Sequence, residues 1–404
     1  MVKTGLDVLC SERLALVRGR RVGVLCHPAS VTADLVHTVD RLLQVGVRIT
    51  RLFGPEHGVR GEAQDMVGVD GEKDRRTGIP VSSLYGADFE SLTPSAADLA
   101  DVDVLIIDLQ DVGSRYYTYV WTMGLALVAA ARAGVAVIVV DRPNPLGGVE
   151  IESGPLLPGY ESFVSLGAVA VRHGLTIGEI ARMVSAGIPG GASRDLGGRF
   201  REPVDCDLIV VTMKGWRRSM DFDATGLPWV LPSPNMPTLD TAFVYPGLCL
   251  VEGTNLSEGR GTTRPFEIVG APFLDGYRWA ERLHGWNLPG VRFRPLSFRP
   301  MFQKYAHKSC GGVQLHVTNR ASFRPYRAGV AALLAARELA PGDFAWRAEP
   351  YEFVSYPPAI DLLTGSAAVR TAIDAGAPLE EICAPFAVYE RQFADDRRPF
   401  LLYE

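Results

Sequence analysis

Lysine is scarce in this 404-residue chain: of 41 basic residues only Lys3, Lys73, Lys214, Lys304 and Lys308 are Lys, and the rest are Arg. The bias is read as genome composition. With 46 acidic residues the net charge is −5, and no basic excess points to a nucleic acid. Closely spaced cysteines are also missing. Cys10, Cys26, Cys206, Cys249, Cys310 and Cys383 stand far apart, which excludes a CxxC zinc or redox motif. Most sit among apolar residues and are expected to be small buried hydrophobes, as suits a reducing compartment. No run of about 18 apolar residues occurs, so no membrane span is expected. The start, Met1 to Asp7, has no apolar signal-peptide core. The expected location is therefore the cytoplasm, or outside it if a leader has been removed. Neither G-x-G-x-x-G after the first strand nor a P-loop is present, so no cofactor is expected. There is no internal repeat and no low-complexity segment. At 47% hydrophobic and 22% charged residues, a disordered chain, a collagen-like fibre and a coiled-coil rod are excluded.

What is present is an alternation. Short β-branched runs at Arg21–Cys26, Val47–Phe53, Val102–Asp108, Val135–Val140 and Asp207–Thr212 read as strands. Between them, Thr32–Val45, Leu92–Leu99, Thr118–Ala133 and Thr176–Ala186 read as helices. Strands apolar on both faces and separated by helices predict a parallel sheet covered on both sides. The fold class is therefore α/β: a Rossmann-like doubly wound parallel sheet with a second, smaller α+β domain. A Pro-rich passage from Leu227 to Pro237 suggests the boundary, giving 1–237 as the catalytic domain and 238–404 as a smaller domain that closes the cleft. In the second part a strand is expected near Val313–Val317, and helices near Tyr277–His284, Tyr326–Glu338 and Ala367–Ala375.

In such a sheet, ligands bind beyond the carboxyl ends of the strands. Four successive strand ends carry dense polar clusters: His27-Pro28-Ala29-Ser30; Gly54-Pro55-Glu56-His57-Gly58-Val59-Arg60-Gly61; Asp108 through Tyr117; and Asp141-Arg142-Pro143-Asn144-Pro145-Leu146. That asymmetry points to an active-site cleft. Glu56, in a turn framed by Gly and Pro, suits a general acid, base or nucleophile; its alternative is a turn cap or a pair with Arg60. His57 suits a positioning or binding role. Asp108 reads equally as a strand-end residue satisfying backbone N–H groups. Arg115, beside Tyr116, Tyr117 and Tyr119, suits a sugar ring that bears a carboxylate, or else a salt bridge with Asp111. Asn144 suits ligand hydroxyl or amide groups, or a structural turn. After an apolar, strand-like run at Ala242–Val251, the polar loop Glu252–Glu267 offers Asn255, Glu258 and Arg260 together, as a binding loop or as solvated surface.

These segments, with Arg172-His173-Gly174-Leu175-Thr176-Ile177-Gly178-Glu179 and Glu252-Gly253-Thr254-Asn255-Leu256-Ser257-Glu258-Gly259-Arg260-Gly261-Thr262-Thr263, resemble the motifs of the NamZ family of glycoside hydrolases. The likeness runs in order from about Gly5 to the C-terminus. It implies an exo-β-N-acetylmuramidase that removes N-acetylmuramic acid from non-reducing ends of peptidoglycan fragments, as in cell wall recycling. It further implies an active site between a Rossmann-like N-terminal domain and a smaller C-terminal one. Glu56 is then the leading catalytic carboxylate, and His173 joins the substrate-binding residues. Where relatives read Val-Glu-Gly-Pro after the Asn144 loop, this chain has Glu152-Ser153-Gly154-Pro155, which displaces Glu152 by one position.

A glycosidase needs an acid for the leaving oxygen and a means of stabilising an oxocarbenium-like centre. Glu56 is expected to be the acid/base. The second group is expected to be Glu258, then Asp111, or else the substrate's own acetamido oxygen. The lactyl carboxylate is expected at Arg115 or Arg260, and no metal is required. Two rivals stand beside this reading. One is a metal-dependent hydrolase with His27, His57, Asp108 and Asp141 as ligands. The other is a non-catalytic protein that binds peptidoglycan fragments. The sequence is silent on oligomeric state.

Overall fold

The computed structural model describes residues 1–60, 73–189 and 196–404; Gly61, the last residue of the Glu56 motif, lies outside the described residues. Six parallel strands form the first sheet: β1 (Val22–Cys26), β2 (Ile49–Gly54), β3 (Val81–Ser83), β4 (Val104–Asp108), β5 (Ala136–Val140) and β6 (Leu208–Val211). Their order is β3-β2-β1-β4-β5-β6, so the winding reverses between β1 and β4. The alternation of side chains explains why both faces are apolar. Val104 and Ile106 of β4 pack on one side with Leu6 and Leu9 of α1 (Gly5–Glu12) and with Val39 and Leu42 of α2 (Thr38–Gln44). Leu105 and Ile107 pack on the other, with α4 (Tyr119–Ala133) and α5 (Ile177–Ala186). The intervening α3 is one turn, Ala96–Leu99.

The sheet and its helices agree with the sequence reading, with three corrections. The helix expected over Leu92–Leu99 covers only Ala96–Leu99, Thr93 being extended. β3 is a half-buried edge strand of three residues, too short to show a period. The helix expected over Thr32–Val45 covers only Thr38–Gln44. Residues 31–37 instead fold back on themselves, Thr32 N–H donating to Val36 O at 2.9 Å and Leu35 taking φ 62°.

The second domain holds a small antiparallel sheet, β7 (Ile268–Ala271), β8 (Val291–Phe298) and β9 (Cys310–Val317), in the order β7-β9-β8. Around it lie α6 (Leu239–Leu248), α7 (Gly276–His284), α8 (Pro325–Leu339), α9 (Ala359–Thr364), α10 (Ala368–Asp374), α11 (Leu379–Cys383) and α12 (Phe386–Arg397). The apolar run Ala242–Val251 is therefore not a strand. It forms α6 and a 3-10 turn, Cys249–Gly253. An all-apolar stretch of this length has no period to separate a buried strand from a buried helix. The packing decides: a Cβ on Gly247 would lie 1.8 Å from Pro325 O, so the α6 backbone rests directly on α8.

The apolar core around α4 and α5 runs without interruption into α6, α8 and β9. The C-terminal segment returns to the first domain. Arg397 donates to His173 O at 2.8 Å, and the Tyr403 hydroxyl to Asp141 at 2.5 Å. Among the described residues no helix is long and apolar enough to cross a membrane.

Candidate active site

β2 ends at Gly54, and the chain reverses at once. Gly58 N–H donates to Pro55 O at 2.8 Å, with His57 and Gly58 at φ 71° and 77°. A Cβ on Gly54 would sit 3.1 Å from Val59 N, so a glycine lets the turn fold onto the strand end. Glu56 and His57 ride on this turn, both largely buried. The Thr118 hydroxyl, at the start of α4, donates to Glu56 Oε2 at 2.9 Å. Tyr119 hydroxyl donates to Pro232 O at 2.8 Å, joining α4 to the Pro-rich segment.

Glu56 and His57 face a cavity of about 470 Å³, part of it open to solvent, which both domains build. From the first domain come Tyr117 and Tyr119; from the second come Tyr245, Glu252, Arg260 and Glu352. Their rings form one edge-to-face chain: Tyr119 to Tyr117 at 4.8 Å, Tyr117 to Tyr245 at 6.0 Å, and Tyr245 to Phe266 at 4.9 Å. The Arg260 guanidinium continues it, 5.1 Å from the Phe266 ring centre. Burial pushes the Tyr117 phenol up, Ser233 partly offsetting it. Three residues of this wall, His57, Phe266 and Glu352, hold positive φ without being glycine. Such backbone gathers where the surrounding structure enforces it, often at working sites.

Arg260 is held from behind. Its Nη2 donates to Glu252 Oε1 at 2.6 Å, and its Nε lies 3.4 Å from Glu258 Oε1. Lys304 Nζ pairs with Glu258 Oε2 at 3.0 Å. Burial would raise the Glu258 carboxyl, but Lys304 and then Arg260 outweigh it and hold the group below its ordinary value. Glu252 Oε2 accepts from the Tyr351 hydroxyl at 2.6 Å, and burial with Glu252 alongside pushes that phenol well up.

The sequence-derived candidates thus divide. Glu56, His57, Tyr117 and Arg260 come together on the cavity, whereas Glu258, Asp111, Arg115, Asn144, His173 and Asn255 are not on its wall. Glu258 belongs to the ion cluster behind Arg260. Asp111 Oδ2 accepts from Gly113 N–H at 2.6 Å and lies 3.2 Å from His173 Nε2, while His173 Nδ1 accepts from Leu175 N–H. Arg115 is fully buried and makes no pair with Asp111: its guanidinium donates to Val169 O at 3.0 Å and Leu363 O at 2.8 Å, a strut between domains. Asn144 donates to Leu175 O and accepts from Leu146 N–H, both at 2.9 Å. Asn255 exchanges hydrogen bonds with Asp343 O and Ala345 N–H. Glu152 pairs with Arg172 at 3.1 Å, and burial raises its carboxyl to about 7. Tyr351 and Glu352 escaped the sequence reading, since no motif or strand end flags them.

The ligand set of the metal-hydrolase rival does not converge. Asp108 is held by Arg142, at 2.5 and 2.8 Å, and by Thr38. Asp141 accepts from Thr176 and Gly178 N–H near the start of α5. His27 Nε2 accepts from Gln110 N–H at 2.8 Å, and burial followed by Arg142 keeps its ring neutral. Among the described residues no group of three His, Cys, Asp or Glu side chains could hold a metal ion.

Comparison with known proteins adds the following. Residues 22–240 match the family model described as exo-β-N-acetylmuramidase NamZ, N-terminal, and residues 243–403 match its C-terminal counterpart. The peptidoglycan β-N-acetylmuramidase NamZ of Bacillus subtilis (strain 168) is 43% identical over 403 residues, covering 100% of this chain and 91% of the relative. Two crystal structures of DUF1343 family proteins from Bacteroides fragilis NCTC 9343 are similar throughout. One has a TM-score of 0.87 at 33% identity and the other 0.74 at 28%; each comparison covers 100% of this chain and 99% of the other.

Proposed function

Because the chain belongs to the NamZ family, we propose that it is an exo-acting β-N-acetylmuramidase, a glycosidase that removes N-acetylmuramic acid from the non-reducing ends of peptidoglycan fragments. Glu56 serves as the acid that protonates the leaving oxygen. One observation carries this assignment: Glu56, oriented by the Thr118 hydroxyl, faces a cavity whose remaining wall of rings and charge comes from the second domain. The Tyr117 and Tyr245 rings offer apolar surface to the sugar. Arg260, already aligned by Glu252 and Glu258, takes the lactyl carboxylate.

The test is Glu56→Gln, which keeps the size of the side chain and an acceptor for Thr118 but has no proton to give. Release of the terminal sugar should fall about 10²–10⁴-fold with the thermal midpoint unchanged. Near-normal turnover would refute the assignment. Running a chromogenic β-N-acetylmuramide beside its glucosaminide analogue isolates the lactyl group. Equal rates on the two would remove Arg260 from its role.

A further inference from the structure

We propose that Glu352 is the second carboxylate of the reaction, the base that activates the attacking water, and that Phe353 latches it in place against the first domain. The proposal rests on the glycosidase reading with Glu56 as acid. Residues 351–354 form a closed four-residue turn, in which Tyr351 N–H donates to Val354 O and Val354 N–H to Tyr351 O, both at 2.9 Å. Its two central residues, Glu352 and Phe353, have φ of 47° and 66°. Positive φ at both central positions is the signature of a type I′ turn, which favours Asn-Gly. Here two ordinary L residues are held in it, and each has a task in view. Glu352 is 5% exposed and faces the cavity. Phe353 turns to the first domain, 5.9 Å from the Tyr85 ring, 6.4 Å from Phe89 and 6.5 Å from Phe163. The turn therefore delivers a carboxylate from one domain while its neighbouring side chain grips the other.

Among the described residues, three carboxylates line the cavity: Glu56, Glu252 and Glu352. Both oxygens of Glu252 already accept short hydrogen bonds, from Arg260 and Tyr351. Glu258 and Asp111 lie off the cavity wall. In the step proposed, Glu56 gives its proton to the glycosidic oxygen as the C1–O bond breaks. The water oxygen bonds to C1, and Glu352 takes the proton that water sheds. Solvent then returns both carboxyls to their starting states. The sugar is released with inverted configuration.

Three variants of the full chain test this on nitrophenyl N-acetylmuramides of graded leaving ability. Glu352→Ala should lose about 10²–10⁴-fold in kcat, equally for good and poor leaving groups, and sodium azide should restore turnover by giving a glycosyl azide. The loss in Glu56→Gln should instead shrink as the leaving group improves, so failure of either assignment is distinguishable from failure of the other. Phe353→Gly keeps the turn, since glycine suits positive φ, but removes the latch. Its kcat should drop about tenfold or more, as misplacement of a catalytic group does, and should drop no further when combined with Glu352→Gln. Glu352→Gln within threefold of the parent kcat, azide failing to restore Glu352→Ala, additive losses in the double variant, or a first product of retained configuration would each overturn the proposal.

Discussion

Replacing Glu258 with Gln removes the anion that ties Lys304 and Arg260 together behind the cavity wall. Truncating one partner of a buried charge pair costs about 3–5 kcal/mol, because the other charge is left uncompensated. Here the lower end applies: Arg260 keeps Glu252 at 2.6 Å, and the Lys304 side chain is one quarter exposed and keeps the Val251 and Leu256 carbonyls. An unfolding entropy of about 2.1 cal/mol/K per residue gives about 0.85 kcal/mol/K for a cooperative unit of this length, so about 3 kcal/mol lowers the thermal midpoint by about 3–4 °C. The pH dependence follows from the depressed carboxyl, whose ordinary value is 4.5. A group lowered in the folded state contributes stability that is complete above its ordinary value and disappears as pH falls through the folded one. The gap between parent and variant should therefore be widest near neutral pH and close on acidification below about 4.5. Calorimetry across pH 3–7 measures it, alongside turnover, which should stay within about tenfold because the group does not face the cavity. A variant with an unchanged midpoint and turnover lost by a thousandfold would refute this reasoning and return Glu258 to the chemistry.

Two further outcomes follow from packing and burial. Asp141 is fully buried and its carboxyl is raised to about 7 by that burial, its hydrogen-bond donors Tyr403, Gly178 and Thr176 notwithstanding. The folded chain thus holds a proton that the unfolded chain releases, so stability should fall as pH rises from about 4 to 7, by up to about 1.4 kcal/mol per unit; Asp141→Asn should flatten that slope in urea titrations. Gly247→Ala would drive a Cβ into Pro325 O and separate α6 from α8; a loss of about 1–3 kcal/mol or more is expected in urea midpoint, and an unaltered midpoint would contradict the close approach of the two backbones.

Much of the first domain is legible because β1, β4 and β5 are buried on both faces and write that burial as nearly continuous apolar runs, while the half-buried β2 and β6 still carry short β-branched and apolar stretches. The second domain is harder to read. β8 alternates Arg292 and Arg294 outward with Val291 and Phe293 inward and carries Pro295, so it resembles a loop until β9 is seen beside it. The polar residues of α6, Asp240 and Thr241, are confined to its first turn, and the apolar remainder shows no helical period. At the site, Glu56 is legible from its place after β2. Arg115, Asn144, Asp111 and Asn255 are the right residue types in the right neighbourhood, but their hydrogen-bonding groups are used on backbone atoms, and donors look the same in sequence whether they serve a ligand or a carbonyl. Glu352 is illegible for the opposite reason. Only the backbone conformation of its turn and the aromatic contacts of Phe353 bring it to the cavity.

The location of the site has its own cause. In a parallel sheet whose winding reverses between β1 and β4, the crevice beyond those two strands is the usual place for a ligand. Here the chain fills that crevice with itself. Gln110 N–H is turned onto His27, the His27 ring packs 4.7 Å from Tyr119, and Asp108 is closed by Arg142 and Thr38. The segment carrying Phe222, Leu227 and Val230 covers the small space left beside Gln110 and Arg142. A backbone N–H already committed to an imidazole is not offered to a ligand at the end of β4. The vacant neighbourhood lies one strand further along, after β2, where only the short edge strand β3 follows. There the Pro55–Gly58 turn can lift Glu56 clear of the sheet and toward the second domain. A chain that had kept its central crevice open would need its acid at β1 or β4; filling it makes the second domain's wall, from Tyr245 to Glu352, indispensable to the pocket.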